Sequence, residues 1–179
     1  GAGRGVSLPA LATASGEVGY RMTGAFGKIR RQFKTEVGKF EGVQEATSQI
    51  AILGYTLEAM RHLVTKSLES GTPSVITAMA KYHATEMMRT LINHGMDVAG
   101  GRAIQLGPRN FMALPYQSVP IAITVEGANI LTRSLMIFGQ GSMRCHPYLF
   151  DVIQTLQTDD KKQGLKDFDR LFFALAGNS

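Results

Sequence analysis

At 179 residues the chain is one domain's worth and long enough to bury a core. Its single cysteine, Cys145, excludes an internal disulfide and suits a reducing, cytoplasmic setting, with peripheral membrane association left open. A net charge of +5 would suit an anionic partner, but the basic residues are scattered and no nucleic-acid-binding signature is present, so no nucleic-acid partner is expected.

In chain order, GAGRG at the start holds neither an initiator Met nor a signal peptide, which suggests a piece of a longer protein. Ser7-Leu8-Pro9 reads as a helix start, and Leu8, Leu11, Val18, Met22, Ala25, Ile29 and Phe33 recur at helical steps, predicting a helix that ends near Phe33. Gly16, Gly19, Gly24 and Gly27 interrupt it, each at about 1 kcal/mol relative to Ala, so close approach of another helix or a ligand is expected there. KTEVGKFEG then reads as a connecting loop. The clearest helix follows, with Val43, Ala46, Ile50, Leu53, Leu57, Met60 and Val64 forming the seam of an antiparallel bundle. Gly71 suits its C-terminal cap, Thr72 the next N-cap and Pro73 the first turn of a third helix. That helix carries Ile76, Ala80, His83, Met87, Leu91 and His94 on one stripe and ends at Gly100-Gly101.

The segment 102–120, with Gly107, Pro108, Pro115 and Pro120, reads as irregular with a short helical turn around Phe111. β-Branched residues after Pro120 favour extended backbone. From Glu126 the pattern turns helical, with Ile130, Ser134 and Ile137 on one side and Leu131, Leu135 and Phe138 beside them, until Gly139 and Gly141. This run is too short and too polar to cross a bilayer, so no transmembrane segment is expected. Two shorter amphipathic segments close the chain, around Leu149–Leu156 and Leu165–Leu175, with TDDKKQG as the turn between them.

Little chemistry stands out by pattern alone. His83 and His94 are about 16 Å apart along a helix and cannot share a metal, and no metal-ligand spacing occurs. The glycine clusters lack the strand, lysine or acidic partner of a nucleotide loop. Cys145 and His146 are sequence neighbours that point apart on a helix. Glu126, at a junction of extended and helical chain beside the bare backbone of Gly127, has two readings. One is a helix-start acid that complements the macrodipole; the other needs the wider motif.

TVEGANILTRSLMIFGQGSMRCHPY closely resembles the C-terminal segment of acyl-CoA dehydrogenases, especially the long bacterial forms of fatty-acid β-oxidation. In that family the acid of an E-G motif is the base that removes the α-proton of an acyl-CoA thioester. The resemblance therefore implies Glu126 as catalytic base and Gly127 in substrate binding, with Arg133 on the same helix. Many members write Tyr-Glu-Gly-Thr, the Thr helping to hold flavin; here Ala128 stands there, so only its backbone could serve. The resemblance extends to a family pattern R-x-Q-F-G, whose Arg reaches the FAD pyrophosphate of a neighbouring subunit. Arg30, Gln32 and Phe33 match it, and Lys34 replaces the glycine. By composition alone these cations sit at a helix C-terminus, where the dipole favours them. A further family Gln falls at Glu41 or Gln44. MDVAGGRAI resembles Q-I-L-G-G-x-G-I, another FAD pyrophosphate contact: Gly100 and Gly101 match, and Asp97 replaces the Gln. Lys81 and Glu86 fall at familiar family positions and read as structural.

The helical pattern predicts an all-α, antiparallel four-helix bundle with extra C-terminal helices, and the resemblance implies its division as 1–147 and 148–179. The resemblance implies the C-terminal domain of a FAD-dependent enzyme that turns acyl-CoA into trans-2-enoyl-CoA, a homo-oligomer reoxidised by electron-transfer flavoprotein. The domain alone is expected to be inactive. The competing expectation is a non-catalytic helical assembly module that has kept the fold and lost the chemistry.

Overall fold

The first helix turns its small residues inward. In the computed structural model, which describes residues 2–71 and 74–177 with the side chains of Ala2 and Ile137 set aside, α1 spans Ala2–Ile29. It buries Ala12, Gly16, Gly19, Thr23 and Gly27, while Leu11, Val18, Met22 and Ile29 stand exposed, Ile29 at 80%. The apolar stripe read from the sequence is therefore mostly the outer face, with Leu8 its buried member. The reason is distance: a Cβ on Gly16 would lie 3.3 Å from the Cα of Gly54, and one on Gly19 would lie 2.7 Å from Leu91 Cδ2. Large side chains would hold the helices apart. Gly24 meets nothing and has no such account. Pro9 lies inside the helix rather than at its start, and its ring is buried.

α1 ends at Ile29, four residues short of the expected Phe33. Arg31–Gln32 (β1) pairs antiparallel with Thr35–Glu36 (β2), and Phe33 and Lys34 between them adopt φ 50° and 65°. Two consecutive left-handed residues make the tight hairpin turn that matches strand twist. Lys34, where the family pattern has glycine, thus occupies backbone that glycine enters without the Cβ clash. The expected connecting loop contains β2 and a 3-10 turn, Val37–Lys39.

α2 (Glu41–Ser67) follows the expected seam: Ile50, Leu57 and Val64 are buried, and Val43, Ala46, Leu53 and Met60 half-buried. A 3-10 turn, Leu68–Ser70, extends it to Gly71 at φ 143°. Thr72 and Pro73, expected to open the next helix, lie outside the described residues.

α3 (Ser74–Ala99) is rotated by about one residue from its expected stripe. Thr77, Ala80, Lys81, Ala84, Thr85, Met88, Leu91 and Ile92 are buried, whereas Ile76 and His83 are exposed. The inner face of α3 receives both α1 and α2, so small and hydroxyl side chains win positions that hydropathy alone assigns to Ile and Met. Gly100, at φ 58°, ends the helix and opens a 3-10 turn, Gly100–Ile104.

The segment 113–124 departs most from expectation. It is a helix, α4 (Ala113–Thr124), containing Pro115 and Pro120. Pro115 falls in the first turn, where a missing N–H breaks no helical bond. Asn110 starts the helix: its Oδ1 accepts from the N–H groups of Met112 and Ala113, both at 2.7 Å. Its Nδ2 donates to the carbonyls of Arg102, Ala103 and Gln105. The β-branched residues expected to be extended are helical because burial of Val119 and Ala122 outweighs a weak local preference.

α1, α2 and α3 pack pairwise and α4 lies on α3, around Leu8, Ile50, Leu57, Met88, Leu91 and Met112. This compact unit runs to Asn129 and is the all-α antiparallel bundle that the periodicity implied. Its fourth helix is α4, not one beginning at Glu126.

A second compact unit begins at Ile130. Helix α5 (Asn129–Ser134) passes into a π-helical stretch, Leu135–Gln140, and then α6 (Gly141–Cys145). Gly139 and Gly141 therefore do not end the helix. They lie within and just after the widened turn, where the chain continues. α7 (Leu149–Thr155) and α8 (Lys161–Gly177) are the two expected amphipathic segments. Asp160 caps α8 through the N–H groups of Lys162 and Gln163, so the solvated turn is shorter than TDDKKQG. Gly164 lets α8 approach the carbonyl of Thr155. Among the described residues no single helix is long and apolar enough to cross a membrane.

Candidate active site and cofactor cleft

The residues singled out from the sequence fall into two groups on α3. Asp97, Gly100 and Gly101 gather at its C-terminal end with Arg30 and Gln32. Glu126, Gly127 and Ala128 lie in the turn between α4 and α5, which is bonded to Lys81. From Lys81 to Asp97 is sixteen residues, about 24 Å along a helix.

The first group lines a cleft of about 840 Å³. Arg31, Arg102 and Gln105 join the five expected residues there. Three arginines face one carboxylate, and among the described residues none of these guanidiniums has an ion-pair partner. Arg30 follows the end of α1 and Arg102 the end of α3, so helix dipoles favour both. The remaining donor capacity, with bare backbone at Gly100 and Gly101, suits a multiply charged anion such as a pyrophosphate. Phe33 is outside the lining; it is 89% exposed and meets Phe40 edge to face at 6.2 Å.

In the second group, Glu126 is not in a helical first turn. It has φ 53°, Gly127 has φ 93°, and α5 begins at Asn129. Left-handed backbone costs a non-glycine residue roughly 1–2 kcal/mol and is uncommon for Glu. The side chain is exposed, and its Oε1 accepts a hydrogen bond of 3.2 Å from Ser7 Oγ on α1; Ser7 Oγ also reaches the carbonyl of Gly3 at 2.9 Å. Gly127 and Ala128 are half-buried.

Beneath the turn, Lys81 is fully buried, at 0% exposure. Its Nζ donates to the carbonyl of Ile123 (2.9 Å), the carbonyl of Gly127 (2.8 Å) and Asn129 Oδ1 (2.7 Å). Asn129 Nδ2 donates to Thr85 Oγ1 (2.9 Å) and Glu86 Oε1 (2.8 Å). Burial pulls the Lys81 ammonium below its ordinary range and the charge of Arg4 adds to this, while Glu126 and Glu86 oppose it. Arg4 Nε is itself buried without a hydrogen-bond partner.

Sequence reasoning missed Ser7, Asn110 and Asn129. Lys81 carried a signal: a lone cation between Thr77, Ala84 and Met88, at helical spacing on what proves to be the inner face. Ser7 carried none, since its partner lies 119 residues away. Arg133 is exposed on α5. No group of three or more His, Cys, Asp or Glu side chains among the described residues could hold a metal ion.

Comparison with known proteins agrees with this architecture. Residues 6–137 match the model of the acyl-CoA dehydrogenase C-terminal domain, and residues 143–179 that of the bacterial-type acyl-CoA dehydrogenase C-terminal region. An acyl-CoA dehydrogenase from Geobacillus kaustophilus is similar in structure, with a TM-score of 0.64 at 23% identity over 74% of this chain and 35% of its own. Glutaryl-coenzyme A dehydrogenase in complex with glutaryl-CoA gives 0.65 at 24% identity over 77% and 35%. A FAD complex of PigA gives 0.63 at 19% identity over 75% and 35%. The chain thus spans about a third of the length of the structures it matches.

Proposed function

The chain belongs to the acyl-CoA dehydrogenase family, as its C-terminal domain, and we propose that it completes a flavoenzyme that oxidises saturated acyl-CoA to trans-2-enoyl-CoA in fatty-acid β-oxidation. Glu126 is the base. The observation that carries this reading is its backbone: an exposed carboxylate in a strained left-handed turn, held from below by a buried lysine. Strain of this kind is retained where surrounding structure imposes it, and it concentrates at functional sites. A helix-start acid needs no such arrangement.

A thioester α-proton is too weakly acidic for a carboxylate in water. Closure of the substrate over Glu126 would strip water from the carboxylate and raise its basicity, while hydrogen bonds to the thioester oxygen stabilise the enolate. Val125, Gly127 and Ala128 cannot titrate, so no motif neighbour replaces Glu126. Gly127, which the family resemblance puts in substrate binding, presents backbone without a side chain beside it. FAD supplies the acceptor for the β-hydride when bound. Arg30, Gln32 and the bare backbone of Gly100 and Gly101 would hold its pyrophosphate, with Arg31 and Arg102 beside them. Asp97, where the family pattern has Gln, is an acceptor-only carboxylate that these cations offset rather than a donor to that anion. Phe33 and Ala128 stand outside the cleft, Phe33 beside the hairpin and Ala128 in the base's own turn.

The length of α3 between Lys81, bonded to the turn, and Asp97, in the cleft, about 24 Å of helix, supports a division of labour between copies: the cleft of one copy contacts the FAD that serves a neighbour's base. The exposed Leu11, Val18, Ile52, Tyr55 and Leu63 offer apolar surface for such an assembly. Acyl-CoA is the substrate, electron-transfer flavoprotein the acceptor and the cytoplasm the setting in this reading, with 1–147 as the catalytic bundle and 148–179 as its extension. Glu126→Gln in the full-length, FAD-loaded enzyme tests it. Anaerobic mixing with a saturated acyl-CoA should leave the flavin oxidised about 10²–10⁴-fold longer than in wild type, with FAD content unchanged. Bleaching at the wild-type rate removes Glu126 as the base.

A further inference from the structure

Resting on the reading of Glu126 as base, we infer that Lys81 and Asn129 are positioning residues that fix the Glu126 carboxylate through the backbone of its own turn. An ammonium has three donors, and Lys81 uses all three on one segment: the last turn of α4, the carbonyl of Gly127, and the side chain that opens α5. These acceptors bracket Glu126, with Ile123 before it and Gly127 and Asn129 after it. Asn129 then spreads its own amide over Thr85 and Glu86, so one turn of α3 grips the segment at two levels. Thr85 Oγ1 is in turn bonded to the carbonyl of Lys81 at 2.8 Å, which closes the network on α3.

Stability alone is a poor account of this arrangement. A buried charge loses its hydration, and replacing such groups by apolar residues of similar volume is often neutral or stabilising. An apolar side chain would suit the inner face of α3, between Ala84, Thr77 and Met88. What an apolar residue cannot do is hold the Gly127 carbonyl, and with it the left-handed backbone at Glu126 and Gly127. A misplacement of about 1 Å at a reacting group can cost 10²-fold in rate. Lys81 and Asn129 touch neither substrate nor proton in this account; they act only through Glu126.

The test uses the full-length, FAD-loaded enzyme and a readout of proton removal that does not depend on flavin turnover: exchange of the α-hydrogens of a saturated acyl-CoA with D2O, followed by NMR. Lys81→Met should slow exchange and kcat about 10- to 100-fold, with KM, FAD content and circular dichroism within about twofold of wild type. Asn129→Ala leaves Lys81 its two carbonyl partners and should slow exchange by about a tenth to a half as much. It is the deciding variant if Lys81→Met does not fold. Exchange within about twofold of wild type in the folded, loaded variants overturns the inference, as does a loss that merely follows loss of FAD or of helicity. Glu126→Gln in the same assay separates the two ideas. If it exchanges at the wild-type rate, the base assignment fails; if it is inert while the folded Lys81→Met and Asn129→Ala variants are wild-type, only the positioning role fails.

Discussion

The Glu126 turn and the arginine cleft handle charge in opposite ways. Beneath the turn, a buried cation has every donor satisfied by the protein itself, so the backbone is fixed before any ligand arrives. In the cleft, three guanidiniums and one carboxylate face open space with no ion pair among them. A self-satisfied site is preorganised and tolerates little change. An unsatisfied site is a receptor, whose order is completed by what it binds. Both hang on α3, one at each half.

The largest expected effects should separate the two regions cleanly. Glu126→Gln abolishes most turnover and spares FAD retention. Arg30→Ala does the reverse, weakening FAD retention by about 10- to 100-fold for a charge-assisted contact of roughly 1.5–3 kcal/mol. Arg21→Ala, which removes an exposed ion pair with Glu17 on α1, is the matched control and should do neither. Equilibrium dialysis of FAD beside stopped-flow flavin bleaching reads both quantities. Equal FAD loss from Arg30→Ala and Arg21→Ala would take the cleft out of cofactor binding.

Asn110 tests whether the regions are independent. Its amide holds the backbone of Arg102 and Gln105 at the cleft and also caps α4, which leads to the Glu126 turn. Asn110→Ala should cost about 1–2 kcal/mol of stability and reduce both FAD retention and turnover by less than either direct variant. A urea unfolding series with both assays checks this; an effect confined to one region would show that the amide supports only one of them. Smaller still, Ser7→Ala removes the Ser7 hydroxyl's hydrogen bond to the Glu126 carboxylate and should change turnover by less than about tenfold, in keeping with about 0.5–1.5 kcal/mol for such a bond.

The smallest effect is a pH signature of the buried cation. Lys81 has its pKa lowered from 10.5 by burial, so just below that pH the unfolded chain holds a proton that the folded chain has released. Stability rises with pH wherever the unfolded state binds more protons. The stability of wild type relative to Lys81→Met should therefore be flat near neutrality and increase as pH approaches 10.5. Urea midpoints measured side by side would show this, and a difference independent of pH would mean that Lys81 is not desolvated in solution.

Several features were legible because they are local. The α2 seam, the glycine stop of α3, the two closing helices and the all-α class all follow from residue spacing and caps within a few positions. Of the residues that the motif resemblance names, Arg30, Asp97 and Gly100 line one cleft and Glu126 lies in the turn between α4 and α5. Tertiary structure decided the rest, for reasons of distance. Which face of α1 is inner depends on Gly16 meeting Gly54 and Gly19 meeting Leu91, contacts that no one-dimensional period contains. That 113–124 is a helix depends on Asn110 capping it and on α3 burying Val119 and Ala122. The left-handed Glu126 depends on Lys81, forty-five residues away, and the hydroxyl on its carboxylate comes from Ser7 at the other end of the unit. Spacing along a chain records what a helix can bury, but the acceptors a buried charge finds are chosen only when separate helices meet.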